Sequence, residues 1–262
     1  MKISVCVDIL FWGQDFLPAL QMIKSTGFDC YEMWTLGVHP FSSEIGAQNK
    51  NLPAIAAEAE RLGMTCAACV GPFSDLTDTA CHADFLRDFK ADVAKAKIIK
   101  CPTIIVNMGG GGPPTNPNGT IDNGIQVLRE AGKIAESEGI VLALEPLNSL
   151  VDHKNSILAH AAESFEVIDA VSSPAVKLLY DIYHQQVMDG YVTETIIANL
   201  DKIAHLHAAG VPGRQELTPG ELDYRFVLQK VVEAGYDKFI GLEYRPSTSV
   251  LESLQKMRAY LK

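Results

Sequence analysis

The sequence lacks an excess of basic residues. Its 262 residues include 22 Lys and Arg against 32 Asp and Glu, which gives a net charge of −10 at pH 7. Proteins that bind nucleic acid or anionic membranes present a positively charged face to the phosphates. The acidic balance therefore disfavours nucleic acid and membranes as partners and leaves a small molecule as the expected one.

Cysteines and long apolar runs are also scarce. The six cysteines show no paired pattern and are too few for a disulfide framework in a chain of this length. No stretch approaches the roughly 20 apolar residues that a membrane helix needs. The opening segment, MKISVCVDILFWGQDF, has one Lys and a short apolar run but no small-residue cleavage site, so a signal peptide is not expected. Together these absences predict a protein of the reducing cytoplasm.

Short apolar runs alternate along the whole chain with longer amphipathic stretches. Hydrophobic residues make up 47% of the sequence, enough for a large core. This alternation is typical of parallel strands joined by crossover helices. The strand candidates are residues 3–9, 28–34, 64–70, 102–108, 139–145, 175–181, 203–209 and 238–244.

Eight such strand–helix units fill residues 1–262, with no Pro- or Ser-rich linker between them. One of the helices, predicted over 52–62, has an apolar face and ends at Gly63. The residues of that face are Leu52, Ile55, Ala56, Ala59 and Leu62. The length is close to the ~250 residues of one (β/α)8 barrel. We therefore predict an α/β protein with a single TIM barrel domain over 1–262. An open doubly wound sheet also fits this periodicity.

Four ionisable residues lie at or near the carboxyl ends of the last four strand candidates: Glu145, Asp181, His207 and Glu243. In a closed barrel these strand ends converge on one mouth, whereas an open sheet spreads them along an edge, so their placement favours the barrel. Three carboxylates and one imidazole suit Mn²⁺, Mg²⁺ or Co²⁺ better than a thiolate-preferring metal. The pattern predicts one divalent metal ion bound by these four side chains.

Several segments of the second half resemble the hydroxypyruvate isomerase branch of the xylose isomerase-like barrels. These segments are LEPLNS (144–149), LLYDIYHQQ (178–186), HLHAAGVPGRQEL (205–217), PGELDY (219–224) and GLEYRPS (241–247). The resemblance is strong across 139–247. In the first hundred residues only the GFD-x-x-E run at 27–32 and the strand spacing match.

This resemblance implies a xylose isomerase-like barrel whose metal is held by the four residues named above. It implies that Glu145 and Glu243 also move the substrate's proton, and that His184 of the D-x-x-H motif and Arg214 of the VPGR loop contact substrate. Homo-oligomers are common in the family, so one is expected here. The chemistry is consistent with this set, because removing a proton beside a carbonyl needs a base and a Lewis acid on the carbonyl oxygen.

Two functions of this chemistry remain open. One is a hydroxypyruvate-type isomerase that interconverts an aldehyde and a ketone through a cis-enediolate, and the VPGR and EYRP segments favour it. The other is a ketose 3-epimerase of the tagatose or allulose type. Such epimerases usually carry a further Glu where this chain has Val151, which favours the isomerase. His207 favours the epimerase, because hydroxypyruvate isomerases often have Gln at that position. An endonuclease IV-like DNA enzyme and a non-catalytic polyol binder fit less well.

Residues at or just after the ends of the first two strand candidates are expected to border the site. Glu32 and Trp34 end the second candidate, and Trp12 follows the first, so they can form an apolar wall with Glu32 as the polar group that contacts substrate. Core packing is the favoured role for Trp12. The glycine-rich run at 107–119 lacks the features of a phosphate-binding loop and is predicted to be a lid.

Overall fold

A computed structural model describes residues 1–36, 46–109 and 118–262. Its eight strands close into a barrel in chain order, which confirms the predicted fold and excludes the open sheet. The strands are β1 (Lys2–Cys6), β2 (Cys30–Met33), β3 (Thr65–Val70), β4 (Thr103–Asn107), β5 (Val141–Glu145), β6 (Val176–Asp181), β7 (Ile203–Ala208) and β8 (Phe239–Leu242). All eight lie within the predicted runs or overlap them.

Helices follow the strands along the chain. They are α1 (Val7–Leu10), α2 (Phe16–Ser25), α3 (Leu52–Leu62), α4 (His82–Ile98), α5 (Ile121–Glu138), α6 (Ala161–Val171), α7 (Ile182–Met188), α8 (Val192–Ala198), α9 (Tyr224–Glu233) and α10 (Val250–Tyr260). Among the described residues, no helix is long and apolar enough to cross a bilayer. Most of the run predicted to be a lid, residues 110–117, lies outside the described part of the chain.

Helix α3 shows why the sequence pattern predicts these elements well. The side chain of Asn51 accepts a hydrogen bond from the amide of Ala54 and so caps the helix N-terminus. Leu52, Ile55 and Ala59 form its buried face. Gly63 ends the helix at φ 64°, in the left-handed region that glycine adopts without strain. The predicted bounds are confirmed. The apolar face is confirmed at these three positions, whereas Ala56 and Leu62, which were also predicted for it, are only half-buried.

Residue contacts are densest within two units, which are described separately. The first contains Met1–Val70, Lys95–Cys101 and His207–Lys262. In it, β1 pairs in parallel with β2 and β8, and Ser4 lies opposite both Cys30 and Gly241. The second contains Gly71–Ala94 and Pro102–Leu206. In it, β4, β5 and β6 pair in parallel, and Asn107 lies opposite Glu145.

The first strand is shorter than predicted, because the chain turns into α1 after Cys6 instead of continuing to Ile9. The turn buries the carboxylate of Asp8 completely. This carboxylate accepts hydrogen bonds from the backbone amides of Trp34, at 2.7 Å, and Ala47, at 3.0 Å. It also forms an ion pair with Lys50 at 2.5 Å. Asp8 therefore holds the residues on both sides of segment 37–45, which lies outside the described residues.

Asp8→Ala is expected to lower the free energy of unfolding by about 3 kcal/mol, because it leaves a largely buried ammonium and two amides without their acceptor. The matched control is Asp84→Ala, which removes an exposed i,i+3 partner of Arg87 and should cost less than about 0.5 kcal/mol. Urea unfolding of both variants measures the difference. Equal costs would show that the Asp8 ion pair contributes no more than a surface pair.

Candidate active site

Four of the predicted site residues form one cluster of possible metal ligands. Glu145 and Asp181 are the last residues of β5 and β6, His207 lies in β7, and Glu243 directly follows β8. All four side chains are buried, and one ligand atom from each lies within 4.8 Å of those of the others. Three carboxylates this close repel one another, and burial weakens the solvation that would offset the repulsion. This donor set therefore fits a divalent cation.

Glu243 is held through both of its carboxylate oxygens. The indole Nε1 of Trp34 donates to Oε1 at 2.7 Å, and the Nη2 atom of Arg214 donates to Oε2 at 2.5 Å. Burial alone raises the pKa of Glu243, but Arg214 and His207 outweigh it, so the pKa lies well below its usual value. Glu243 is consequently ionised at neutral pH, as a metal ligand or a general base must be.

His207 lies between two carboxylates. Its Nε2 atom is 2.8 Å from Oε2 of Glu32, and its Nδ1 atom is 3.4 Å from Oε2 of Glu243. Glu32 is only 2% exposed and also accepts a hydrogen bond from the hydroxyl of Ser4. Its substrate contact stays a prediction, while the observed partners of Glu32 are groups of the protein itself.

Glu145 has a polar neighbour that the sequence did not reveal. The side-chain amide of Asn107, at the end of β4, lies 3.3 Å from Oε2 of Glu145 and 3.2 Å from its backbone carbonyl oxygen. Asn107 faces Glu145 directly in the pairing of β4 with β5. In the sequence, only its position at a strand end indicates that Asn107 belongs to the site. This indication is weak, because asparagine is also common in turns.

Asp181 and His184 lie one helical turn apart at the start of α7. Oδ1 of Asp181 accepts a hydrogen bond from the amide of Tyr183 and caps α7, which leaves Oδ2 at 3.5 Å from Nε2 of His184. On its other side, Nδ1 of His184 lies 2.6 Å from Nδ2 of Asn148. Asn148 also donates to Asp152 at 2.7 Å. This chain of contacts fixes the imidazole plane beside the proposed metal ligand.

Trp12 and Trp34, which were predicted to form an apolar wall of the site, contact each other, while their place at a substrate stays a prediction. The rings of Trp12 and Trp34 meet edge to face, with their centroids 6.1 Å apart. Trp12 is 50% exposed, so the favoured assignment of Trp12 to core packing is wrong. The reason is that the chain turns into α1 after β1 and carries Trp12 out beyond the strand end.

Trp34→Phe should lower kcat/KM by about tenfold, because it removes one hydrogen bond to the charged carboxylate of Glu243 while keeping an aromatic ring. Steady-state kinetics measures the effect, on whichever substrate the NMR screen described under Proposed function identifies, and thermal unfolding shows whether the variant keeps its fold. An unchanged kcat/KM would mean that this indole does not orient Glu243 during catalysis.

The loop that carries Arg214 is anchored by a buried carboxylate that the sequence did not reveal. Glu216 accepts hydrogen bonds from the hydroxyl of Ser253, at 2.7 Å, and from the amide of Ser247, at 3.0 Å. Burial tends to raise the pKa of Glu216, but these hydrogen bonds outweigh it and the pKa is lowered. Arg214 itself has φ 53°, an uncommon backbone conformation for a non-glycine residue.

Glu216→Gln should lower the free energy of unfolding by about 1–2 kcal/mol at pH 7, because hydrogen bonds to a charged acceptor are replaced by weaker ones. A lowered folded-state pKa stabilises the protein above the unfolded-state pKa of about 4.3, and the contribution is lost as pH falls through the folded-state value. The difference between wild type and variant should therefore shrink below about pH 4.5. Denaturant unfolding from pH 7 down to pH 3.5 tests this, and a constant difference would contradict it.

Comparison with known proteins gives the family. Residues 20–260 match the sequence model of the family described as "Xylose isomerase-like TIM barrel". The chain belongs to this family. A human "Putative hydroxypyruvate isomerase" is 31% identical over 99% of this chain and 95% of its own length. The hydroxypyruvate isomerase of Escherichia coli K12 is 28% identical over 99% of both chains.

Other curated relatives match over shorter stretches. A zebrafish protein with the same name as the human one is 34% identical, over 53% of this chain and 51% of its own length. A 2-oxo-tetronate isomerase of Pectobacterium atrosepticum is 32% identical over 62% of both chains. The named relatives are all isomerases, so this member of the barrel family is an enzyme of the isomerase class.

Solved structures show the same fold at lower sequence identity. An AP endonuclease, family 2, from Brucella melitensis superposes with a TM-score of 0.86 at 22% identity, over 99% of this chain and 98% of its own. An L-ribulose 3-epimerase gives a TM-score of 0.82 at 18% identity, over 100% and 93%. The IOLI protein with a bound zinc atom gives 0.77 at 16% identity, over 99% and 96%. At these identities the likeness shows the fold alone.

Proposed function

We propose that this protein is a metal-dependent isomerase of the hydroxypyruvate isomerase type, which interconverts a small α-hydroxy ketone and its aldehyde through a cis-enediolate. The observation that carries the proposal is the buried cluster of Glu145, Asp181, His207 and Glu243, whose ligand atoms lie within 4.8 Å of one another. The isomerase relatives that align over the whole chain support the same chemistry.

The four clustered side chains would hold one divalent metal ion, with Mn²⁺, Mg²⁺ and Co²⁺ as the candidates. When bound, such an ion supplies a Lewis acid for the carbonyl and hydroxyl oxygens of the substrate. The carboxylates of Glu145 and Glu243 are assigned the proton transfer. Glu243 has the lowered pKa of a group that is ionised before substrate binds, and Asn107 orients Glu145 through its amide.

Arg214 and His184 are assigned to substrate binding. The guanidinium of Arg214 stays charged and can bind a carboxylate through two parallel hydrogen bonds. Its Nη2 atom already lies 2.5 Å from Glu243, so a substrate carboxylate bound there would bring the adjacent carbons close to the proposed base. This arrangement favours a hydroxy-keto acid over a neutral sugar.

A ketose 3-epimerase is the second candidate function. The observation that favours it is the imidazole of His207 in the ligand cluster, because this position resembles the sugar-handling relatives more than the hydroxypyruvate isomerases. The same metal and the same two glutamates serve either reaction, since both begin by removing a proton beside a carbonyl.

A substrate screen by NMR in deuterated water separates the two candidates. Metal-loaded protein is incubated with hydroxypyruvate, a four-carbon 2-oxo acid, triose sugars and five- and six-carbon ketoses. An isomerase moves the carbonyl to the neighbouring hydroxyl-bearing carbon, which gives an aldehyde from hydroxypyruvate and a 3-oxo acid from the four-carbon substrate. A 3-epimerase inverts C3 of a ketose and leaves the carbonyl at C2. Turnover of a hydroxy-keto acid supports the proposal, and C3 deuteration of a ketose without aldehyde overturns it in favour of the epimerase.

Three broader sequence expectations stay predictions: a single domain over residues 1–262, a cytoplasmic location and a homo-oligomer. The small-molecule substrate agrees with the names of the relatives. Size-exclusion chromatography with light scattering measures the number of chains in the assembly.

A further inference from the structure

The carboxylate of Glu32 is buried among groups of the protein. Its side chain is 2% exposed. Oε2 lies 2.8 Å from Nε2 of His207, and Oε1 accepts a hydrogen bond from the hydroxyl of Ser4. A buried carboxylate is costly unless hydrogen bonds or charges stabilise it. The imidazole of His207 and the hydroxyl of Ser4 therefore supply the stabilisation that the buried carboxylate of Glu32 needs.

The contact bears on which nitrogen of His207 carries the hydrogen, because Nε2 lies within hydrogen-bond distance of a carboxylate oxygen. When Glu32 is ionised it has no hydrogen to donate, and Nε2 of His207 is then the donor in this contact. In the neutral ring the lone pair then resides on Nδ1, the atom that lies 3.4 Å from Glu243. A metal ligand must offer an unprotonated nitrogen, and the hydrogen bond made by the other ring nitrogen decides which one that is.

A glycine in the neighbouring strand makes room for the carboxylate. Gly241 of β8 lies opposite Ser4 of β1, which pairs on its other side with β2, the strand of Glu32. A Cβ atom at position 241 would lie 2.3 Å from Oε1 of Glu32 and 2.7 Å from its carboxyl carbon. Any larger residue at 241 would therefore displace the carboxylate that His207 faces.

We propose that Glu32 is a positioning residue for the metal site: its carboxylate holds His207 as the tautomer with hydrogen on Nε2 and directs Nδ1 to the metal. The inference rests on the proposed metal-dependent function. In this role Glu32 acts on the metal through His207 and does not make the predicted contact with the substrate. The negative charge also makes the imidazole a stronger donor to a cation.

The test uses Glu32→Gln, which keeps the size of the side chain and removes its charge. Loss of such a carboxylate partner weakens metal affinity by about 10- to 100-fold in other sites, and we expect a loss in that range for Mn²⁺. The affinity is measured on metal-free protein by competition with a chelator. Glu58→Gln is the matched control, because it neutralises a carboxylate that accepts hydrogen bonds from Arg61 and Gln21 and belongs to neither group of candidate metal ligands. Its Mn²⁺ affinity should stay within about twofold of wild type.

Gly241→Ala provides a second variant in case Glu32→Gln folds poorly. Its added methyl group displaces the Glu32 carboxylate without removing any charge, and it should also weaken Mn²⁺ binding by about tenfold or more. Nitrogen NMR of the metal-free wild type adds a direct readout of the tautomer. We expect His207 to carry its hydrogen on Nε2, and hydrogen on Nδ1 would overturn the inference.

The outcomes separate this inference from the proposed function. Wild type that binds no Mn²⁺ overturns both. Wild type that binds Mn²⁺ while Glu32→Gln binds it equally well overturns the positioning role and leaves the proposed function standing. A raised KM of Glu32→Gln with unchanged Mn²⁺ affinity would also overturn the positioning role and would support the predicted contact of Glu32 with substrate. A second bound Mn²⁺ that is lost in Glu32→Gln would make Glu32 a ligand in its own right, in the group that it forms with His205 and His207.

Discussion

Glu145→Gln and Glu243→Gln are each expected to lower kcat by about 10²- to 10⁴-fold, the usual contribution of a positioned general acid or base. Glutamine keeps the length of the side chain and one oxygen that can contact a metal ion, but it cannot accept the substrate's proton. Glu243 provides the sharper test, since its lowered pKa identifies it as a carboxylate that is ionised at neutral pH.

The experiment measures both turnover and exchange of the substrate proton with deuterated water. If one glutamate removes the proton and the other returns it, a variant that keeps the first can still exchange the proton while forming little product. Glu58→Gln is the control, because its carboxylate accepts hydrogen bonds from Arg61 and Gln21 and lies outside the ligand cluster. Full exchange and turnover in both glutamate variants would refute the two-glutamate mechanism.

Removal of the metal is expected to have the second large effect. Dialysis against a chelator should abolish turnover, and Mn²⁺, Mg²⁺ or Co²⁺ should restore it. A ligand present at 100 times its Kd stabilises the folded state by about 2.7 kcal/mol. For a domain of this size that corresponds to a rise in Tm of about 5–10 °C. Calorimetry of metal-free and metal-loaded protein measures the shift.

Asp181→Asn tests whether the shift comes from the proposed ligand cluster. Asparagine keeps an oxygen that can cap α7 at the amide of Tyr183, but it removes one of the three clustered negative charges. The metal-dependent rise in Tm should therefore shrink or vanish in this variant. Turnover at the full rate with less than a tenth of a metal ion per chain would contradict metal dependence.

The bounds of strands and helices show how far sequence patterns reach. The helix at 52–62 has both its caps and its apolar face in one short stretch, so its bounds were predictable. The end of β1 was not, because the chain leaves the strand where Asp8 meets Trp34, Ala47 and Lys50. Those partners are 26 to 42 residues away along the chain, so the residues near Asp8 in the sequence do not predict these contacts.

The sequence by itself determined the eight-strand barrel and the four candidate ligands. Alternation of apolar runs and helices specifies the fold class, and a charged residue at the end of an apolar strand is uncommon enough to be noticed. Each of these signals is carried by a few neighbouring residues.

Only the tertiary structure decided what each candidate ligand touches. The hydrogen bonds of Glu243 with Trp34 and of His207 with Glu32 join residues 209 and 175 positions apart. Such pairs meet only after the strands have paired, and their geometry depends on side-chain directions that composition and spacing do not encode. The sequence placed Glu32 near the site. In the folded chain the carboxylate of Glu32 contacts His207, and it fits there because residue 241 is glycine and has no Cβ atom.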